Sequence, residues 1–124
     1  GANIGLDVLW NGKGEGKLCE IADKLVNFFA DIPLKDYKKY KIDGSSVVNE
    51  DGIEEKALHP VGLLATLTQT TLACTTEARP AAEKIIHRFW EPSLRRGERR
   101  YYDNCLYMFA LLALSGKYSV EVIK

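Results

Sequence analysis

The chain has 124 residues, 46% hydrophobic and 27% charged, and its 17 basic and 17 acidic side chains leave no net charge. That length suits one domain with enough apolar material for a core. Zero net charge gives no general attraction to nucleic acid or to an anionic membrane, so neither is an expected partner. Cys19, Cys74 and Cys105 lie far apart, form no CxxC pair and leave one odd, which speaks against a disulfide framework or a zinc site. No signal peptide or membrane span is visible. Gly1-Ala2-Asn3-Ile4 has no initiating Met and no helix cap, and reads like the middle of a helix. The native N-terminus is therefore expected upstream.

In chain order, Ala2 to Trp10 carries one charge and reads as the second half of a helix that Asn11-Gly12 ends. The glycine-rich Asn11 to Lys17 is not a phosphate loop. No strand precedes it, its glycine spacing is wrong, and Leu18 stands where Ser or Thr should follow the lysine. It is a turn between helices. Lys17 to Asp31 follows as an amphipathic helix, with Leu18, Ile21, Ala22, Leu25, Val26, Phe28 and Phe29 at three- and four-residue intervals; Pro33 closes it. Ile32 to Lys56 has no helical period and reads as a long loop, with a small β-hairpin possible around Asp43-Gly44. Its Lys and Tyr mixture from Lys35 to Lys41 is followed by acidic Glu50 to Glu55, which favours a solvated loop over a nucleic-acid contact.

Pro60 suits a first helical position, with His59 at the cap. Val61 to Thr76 carries no charge, yet includes Thr66, Thr68, Gln69, Thr70 and Thr71. Such a helix belongs in the interior, where those polar groups must bond to neighbours or line a wet cleft. Pro80 opens an amphipathic helix with Ala82, Ile85, Ile86, Phe89 and Trp90 on one stripe and Glu83, Lys84, His87 and Arg88 facing water; Pro92 ends it. Arg95 to Arg100 holds four arginines in six residues and reads as a solvated or salt-bridged loop. Cys105 to Leu114 is then wholly apolar, an apolar cylinder more than a stripe, stopped by Ser115-Gly116. It reads as a helix buried on all sides, with Arg100 to Asn104 as a polar, aromatic lip at its mouth. Lys117 to Lys124 alternates enough for a short strand or an extended end.

Nearly uncharged helices thus alternate with amphipathic ones, as a two-layer ring of helices requires: an inner layer covered on both sides and an outer layer covered on one. Five helices are too few to close such a ring. The pattern predicts an all-α fold forming part of an α/α barrel or toroid, or a short helical array. The residues alone say little of chemistry. There is no GxSxG motif. His59 and His87 sit on unrelated segments, so no metal site is expected. Asp7 and Asp103 are the acids on the uncharged helices, and Asp103 at a helix start is either an N-cap or a ligand-binding group.

Four segments carry a further signal. Ala2-Asn3-Ile4-Gly5-Leu6-Asp7, Phe28-Phe29-Ala30-Asp31-Ile32-Pro33, Leu58-His59-Pro60-Val61-Gly62-Leu63-Leu64-Ala65-Thr66 and Arg100-Tyr101-Tyr102-Asp103-Asn104-Cys105-Leu106-Tyr107, closing with Ala113-Leu114-Ser115-Gly116, resemble the C-terminal third of glycoside hydrolase family 8. The resemblance is to the exo-oligoxylanases that release xylose from reducing ends, and it spans almost the whole chain in order. It implies that residues 1–124 are the C-terminal fragment of one (α/α)6 catalytic domain. It further implies β-1,4-xylosidic hydrolysis with inversion, a xylo-oligosaccharide as partner and no cofactor. Inversion uses a general acid and a general base. In the family both lie upstream of the segment that matches Gly1 onward, so no catalytic residue is assigned here and the chain alone is expected to be inactive.

The resemblance also implies that Leu58-His59-Pro60 walls off the leaving-group side of the cleft, with His59 bonding the terminal xylose and Leu58 and Pro60 shaping the wall. Tyr101, Tyr102 and Asp103 match an aromatic lip near the cleavage point; either tyrosine suits a sugar face. A cytoplasmic location is what the family favours. Endo-acting xylanase or endoglucanase specificity, and a non-catalytic helical interaction or carbohydrate-binding module, are the competing readings. A partial toroid is also expected to self-associate through the surfaces it leaves uncovered.

Overall fold

The computed structural model describes residues 1–12, 14 and 16–118. Among these described residues five α-helices follow in order: α1 (Ala2–Asn11), α2 (Gly16–Phe29), α3 (Pro60–Thr70), α4 (Arg79–Phe89) and α5 (Arg100–Leu114), with short 3-10 turns at Leu34–Asp36, Thr71–Ala73 and Thr76–Ala78. Among the described residues, β-structure is limited to isolated bridges. No described helix is long and apolar enough to cross a membrane. The strand expected over Lys117 to Lys124 falls, after Tyr118, outside the described residues.

Helix α3 is the axis, and the other four helices all pack on it. Eight of its residues are buried, including Leu64, Ala65, Leu67, Thr68, Gln69 and Thr70. Its uncharged sequence follows from that position. The threonines line no wet cleft. Thr66, Thr68 and Thr70 turn their hydroxyls onto the carbonyls of Leu63, Leu64 and Thr66, each at 2.8 Å, so the helix satisfies these hydroxyls itself. Helix α1 crosses the end of α3 at Gly5, where a β-carbon would stand 1.9 Å from the Gln69 carbonyl oxygen. No side chain fits there without moving a backbone.

The core joins Val26 and Phe29 of α2, Leu64 and Leu67 of α3, and Ile85 and Phe89 of α4. Four expectations are corrected, the last of them Trp90. First, α5 is not buried on all sides: Ala110 and Ala113 face the interior, but Met108 and Phe109 are exposed. On the face of α5 that turns away from α3, Phe109 meets the Tyr118 ring with centroids 5.9 Å apart yet stays 39% exposed, and Met108 is half exposed. Second, the lip Tyr101-Tyr102-Asp103 is the first turn of α5 itself. Third, Arg88 does not face water. Its guanidinium donates to the Phe29 and Ala30 carbonyls and to the Tyr37 hydroxyl, covering the open carbonyls where α2 ends. Trp90 leaves the buried stripe because α4 stops at Phe89, and it is exposed.

The aperiodic segment between α2 and α3 has its own order. Lys39 N–H donates to the Glu55 carbonyl, Glu55 N–H to Val47, and Val47 N–H to Lys39, each at 2.9 Å. The chain thus closes a triangle on itself with a spacing of eight residues. Lys41 N–H to Ser45, Asn49 N–H to Ile53 and Ala57 N–H to Tyr37 repeat at the same spacing. Antiparallel bridges link all three sides, Tyr40 with Ser46, Val48 with Glu54 and Lys38 with Lys56. The hairpin expected at Asp43-Gly44 is one corner of this figure. Its turn uses Gly44 at φ +87° and a matching corner uses Gly52 at φ +75°, conformations that suit glycine. Asp43 Oδ1 accepts the Ser45 N–H, and Asn49 Oδ1 accepts the Asp51 and Ile53 N–H groups. Ion pairs Lys38–Glu54 and Lys39–Glu55 cross the sides. Edge-to-face contacts of Tyr40 with Phe28 and Phe29, and of Phe29 with buried Tyr37, seat the triangle on the end of α2.

Cys74 follows the 3-10 turn after α3. Burial, reinforced by the nearby Asp23 carboxylate, pushes its thiol up to about 12. Because the folded value lies above the unfolded one, the associated stability is fully present below about pH 9 and is lost as the pH rises toward 12. In a chain whose other cysteines are replaced (Cys19→Ser, Cys105→Ser), Cys74 should react with a thiol reagent at about pH 8 roughly a thousandfold more slowly than free cysteine. Reaction at the free-thiol rate would contradict this.

Candidate functional site

The first turns of α3 and α5 lie side by side. A helix start leaves N–H groups open, and at α3 the cap residue His59 makes no side-chain bond to them. Asp103, 41 residues away on α5, supplies the missing acceptor: its Oδ1 takes the Gly62 N–H at 2.9 Å. This carboxylate is wholly buried. It sits at the positive ends of two helix dipoles, α3's and its own. Gly62 is required for the approach, since a β-carbon there would stand 2.9 Å from both Asp103 Oδ1 and Leu106 Cδ1. Asp103 therefore caps a helix, but the neighbouring one.

Two cationic or potentially cationic groups flank the same carboxylate. Arg95 Nε lies 3.0 Å from Oδ2 and His59 Nδ1 lies 3.5 Å from Oδ1. Both are within ion-pair reach but off hydrogen-bond alignment, so Arg95 Nε, His59 Nδ1 and Asp103 Oδ2 are buried polar atoms without an aligned partner. Arg95 is brought there by Asn104. The Asn104 amide accepts the Arg95 N–H and donates to the Arg95 carbonyl, both at 3.0 Å, as a second strand would.

The outer side of this cluster is aromatic. The Tyr102 ring packs on the His59 ring with centroids 4.7 Å apart and planes 52° apart. Tyr101 and Tyr102 are 78% and 56% exposed, and Leu58 is 47% exposed beside them. Pro60 opens α3 directly after His59. The triangle delivers the chain to this point, since Ala57, its last bonded residue, precedes Leu58-His59. The structure thus gathers His59, Tyr102 and Asp103, with Leu58, Pro60 and Tyr101 adjoining. Asp7 stands on α1, exposed and bonded to Asn11. The sequence reading missed Arg95, Asn104 and Gly62. The usable signal was physical: a buried acid demands a cation and a donor, and an arginine run precedes Asp103 by a few residues.

No family model matches the chain. It is 49% identical over 119 residues to a reducing end xylose-releasing exo-oligoxylanase of Halalkalibacterium halodurans, across 96% of this chain and 28% of that protein. It is 45% identical over 124 residues to one of Bifidobacterium adolescentis, across 97% of this chain and 30% of the relative. A solved exo-oligoxylanase of Paenibacillus barcinonensis, complexed with xylose, superposes with a TM-score of 0.81 at 44% identity, across 96% of this chain and 29% of the other. The five helices form part of an (α/α)6 barrel like that of these enzymes. The chain spans less than a third of the length of the relatives it matches.

Asp103→Ala would leave the Gly62 N–H, Arg95 Nε and His59 Nδ1 without their shared acceptor. Urea unfolding should show a loss of about 3–5 kcal/mol, as for a broken buried charge pair. Gly62→Ala should cost about 1–3 kcal/mol by overpacking. An unchanged midpoint for Asp103→Ala would show that the carboxylate is not the linchpin of this corner.

Proposed function

We propose that this chain forms the C-terminal third of an inverting glycoside hydrolase of family 8, an exo-oligoxylanase that removes xylose from the reducing end of xylo-oligosaccharides. The observation that carries the reading is the pairing of His59, about a third exposed, with exposed Tyr102 at the open ends of two inner helices. A ring face for the sugar and polar groups beside it are what a carbohydrate site needs. Exo-oligoxylanase structures complexed with xylose and, for a mutant, with xylobiose support the same substrate class. In this reading Leu58-His59-Pro60 walls the leaving-group side. His59 and Tyr102 touch the terminal sugar, Tyr101 extends the lip, and Asp103 acts from behind them because it is buried. The general acid and base belong to the remainder of the barrel, in sequence that precedes the matched third.

Two outcomes are expected. Incubated alone with xylotriose, the chain should release no xylose, because inversion requires two opposed carboxylates with a water between them. It should nonetheless bind xylobiose in calorimetry, and His59→Ala or Tyr102→Ala should weaken that binding about 5- to 30-fold, the worth of one hydrogen bond or ring contact. Xylose release by the isolated chain, or binding indifferent to both variants, would overturn the reading.

Self-association follows from the same proposal. Trp10, Phe28, Trp90, Met108 and Phe109 are exposed, and an apolar groove of about 750 Å³ lies between α2 and the triangle. These surfaces suit contact with the rest of a barrel. In light scattering the isolated chain should exceed monomer mass at micromolar concentration. A clean monomer that binds no hydrophobic dye would count against the fragment reading.

A further inference from the structure

Each oxygen of Asp103 has its own neighbours. Oδ1 takes the Gly62 N–H and faces His59 Nδ1, while Oδ2 faces Arg95 Nε. An ionised carboxylate only accepts hydrogen bonds. A ring nitrogen buried against it is favoured when it carries a hydrogen and disfavoured when it presents a lone pair. His59 Nδ1 is buried, although a third of the side chain is exposed, so the exposure belongs to the rest of the ring. When Nδ1 of a neutral imidazole carries the hydrogen, Nε2 is left as an acceptor. The carboxylate cannot rotate away from this duty. The α3 amide holds one oxygen, and Arg95 engages the other from a backbone that Asn104 clamps on both its N–H and its carbonyl.

Building on the sugar-site reading above, we infer that Asp103 is a positioning residue that holds His59 in the Nδ1–H tautomer, with Arg95 and Asn104 as the strap that orients the carboxylate. His59 then meets its ligand through Nε2 as a hydrogen-bond acceptor.

The chain has only two histidines, His59 and exposed His87, which makes the test direct. Long-range proton–nitrogen correlation spectra of the ¹⁵N-labelled chain report which nitrogen of each ring carries hydrogen. Wild-type His59 should be predominantly Nδ1–H, and His87 predominantly Nε2–H as in free histidine. A wild-type His59 that is mainly Nε2–H overturns the inference, with no variant needed. In Asp103→Ala the His59 ratio should invert, and Asp103→Asn, which keeps an acceptor oxygen, should restore it; retention of Nδ1–H in Asp103→Ala also overturns it. If Asp103→Ala fails to fold, Asn104→Ala supplies the second readout by freeing Arg95, with a measurable rise in the Nε2–H fraction; an unchanged fraction excludes the strap. Added xylobiose should shift the Nε2 resonance. The expected tautomer with no response to xylobiose would sustain the positioning role and defeat the sugar reading.

Discussion

One buried carboxylate determines how the ends of α3 and α5 meet. Taking an ionised side chain out of water costs several kcal/mol, and the cost is met only by donors and counter-charges at short range. Asp103 collects them from three parts of the chain: an open helix amide at Gly62, an imidazole at His59 and a guanidinium at Arg95. Each imposes a further requirement. Gly62 admits no side chain, Asn104 must grip Arg95, and the segment before α3 must end with His59 in place. A single acid on one helix thereby dictates residue choice on another helix and on two connections.

The triangle over Tyr37 to Ala57 belongs to the same arrangement. Its aromatic seat on α2, its buried Tyr37 and the Arg88 guanidinium behind it fix one end. Its last backbone bond, Ala57 to Tyr37, closes two residues before His59. A loop of this length would ordinarily sample many conformations, at an entropic cost to any site mounted on it. Here ladder bonds hold nearly every turn of the path, so Leu58 and His59 hang from a braced support.

Much of the architecture was legible in the residues. Period and punctuation located the helices because Pro33, Pro60 and Pro80 and the glycines at helix ends act locally. The uncharged run from Val61 identified the central helix, since a helix enclosed on every side tolerates no charge. The same rule misled at α5, where Met108 and Phe109 are apolar and exposed within this chain. Composition reports the surroundings a helix is suited to, which need not lie within the same chain. The triangle was unreadable because its eight-residue spacing is written in backbone bonds, with Lys39, Val47 and Glu55 in equivalent places. Arg95 was missed for a related reason. A surface arginine and one facing a buried acid look alike until the acid is known to be buried.

The triangle has a consequence for how the protein behaves among its neighbours. A short hairpin on a surface leaves a row of unpaired N–H and C=O groups, which invites strand addition and, in crowded solution, aggregation. Lys39, Val47 and Glu55 each spend both backbone groups on the other two sides. At these three positions no backbone group is left open, and lysine–glutamate pairs lie across two of the sides. The inward-facing backbone of this segment is in this way withdrawn from strand addition, and the charged pairs across its sides discourage pairing at the rest.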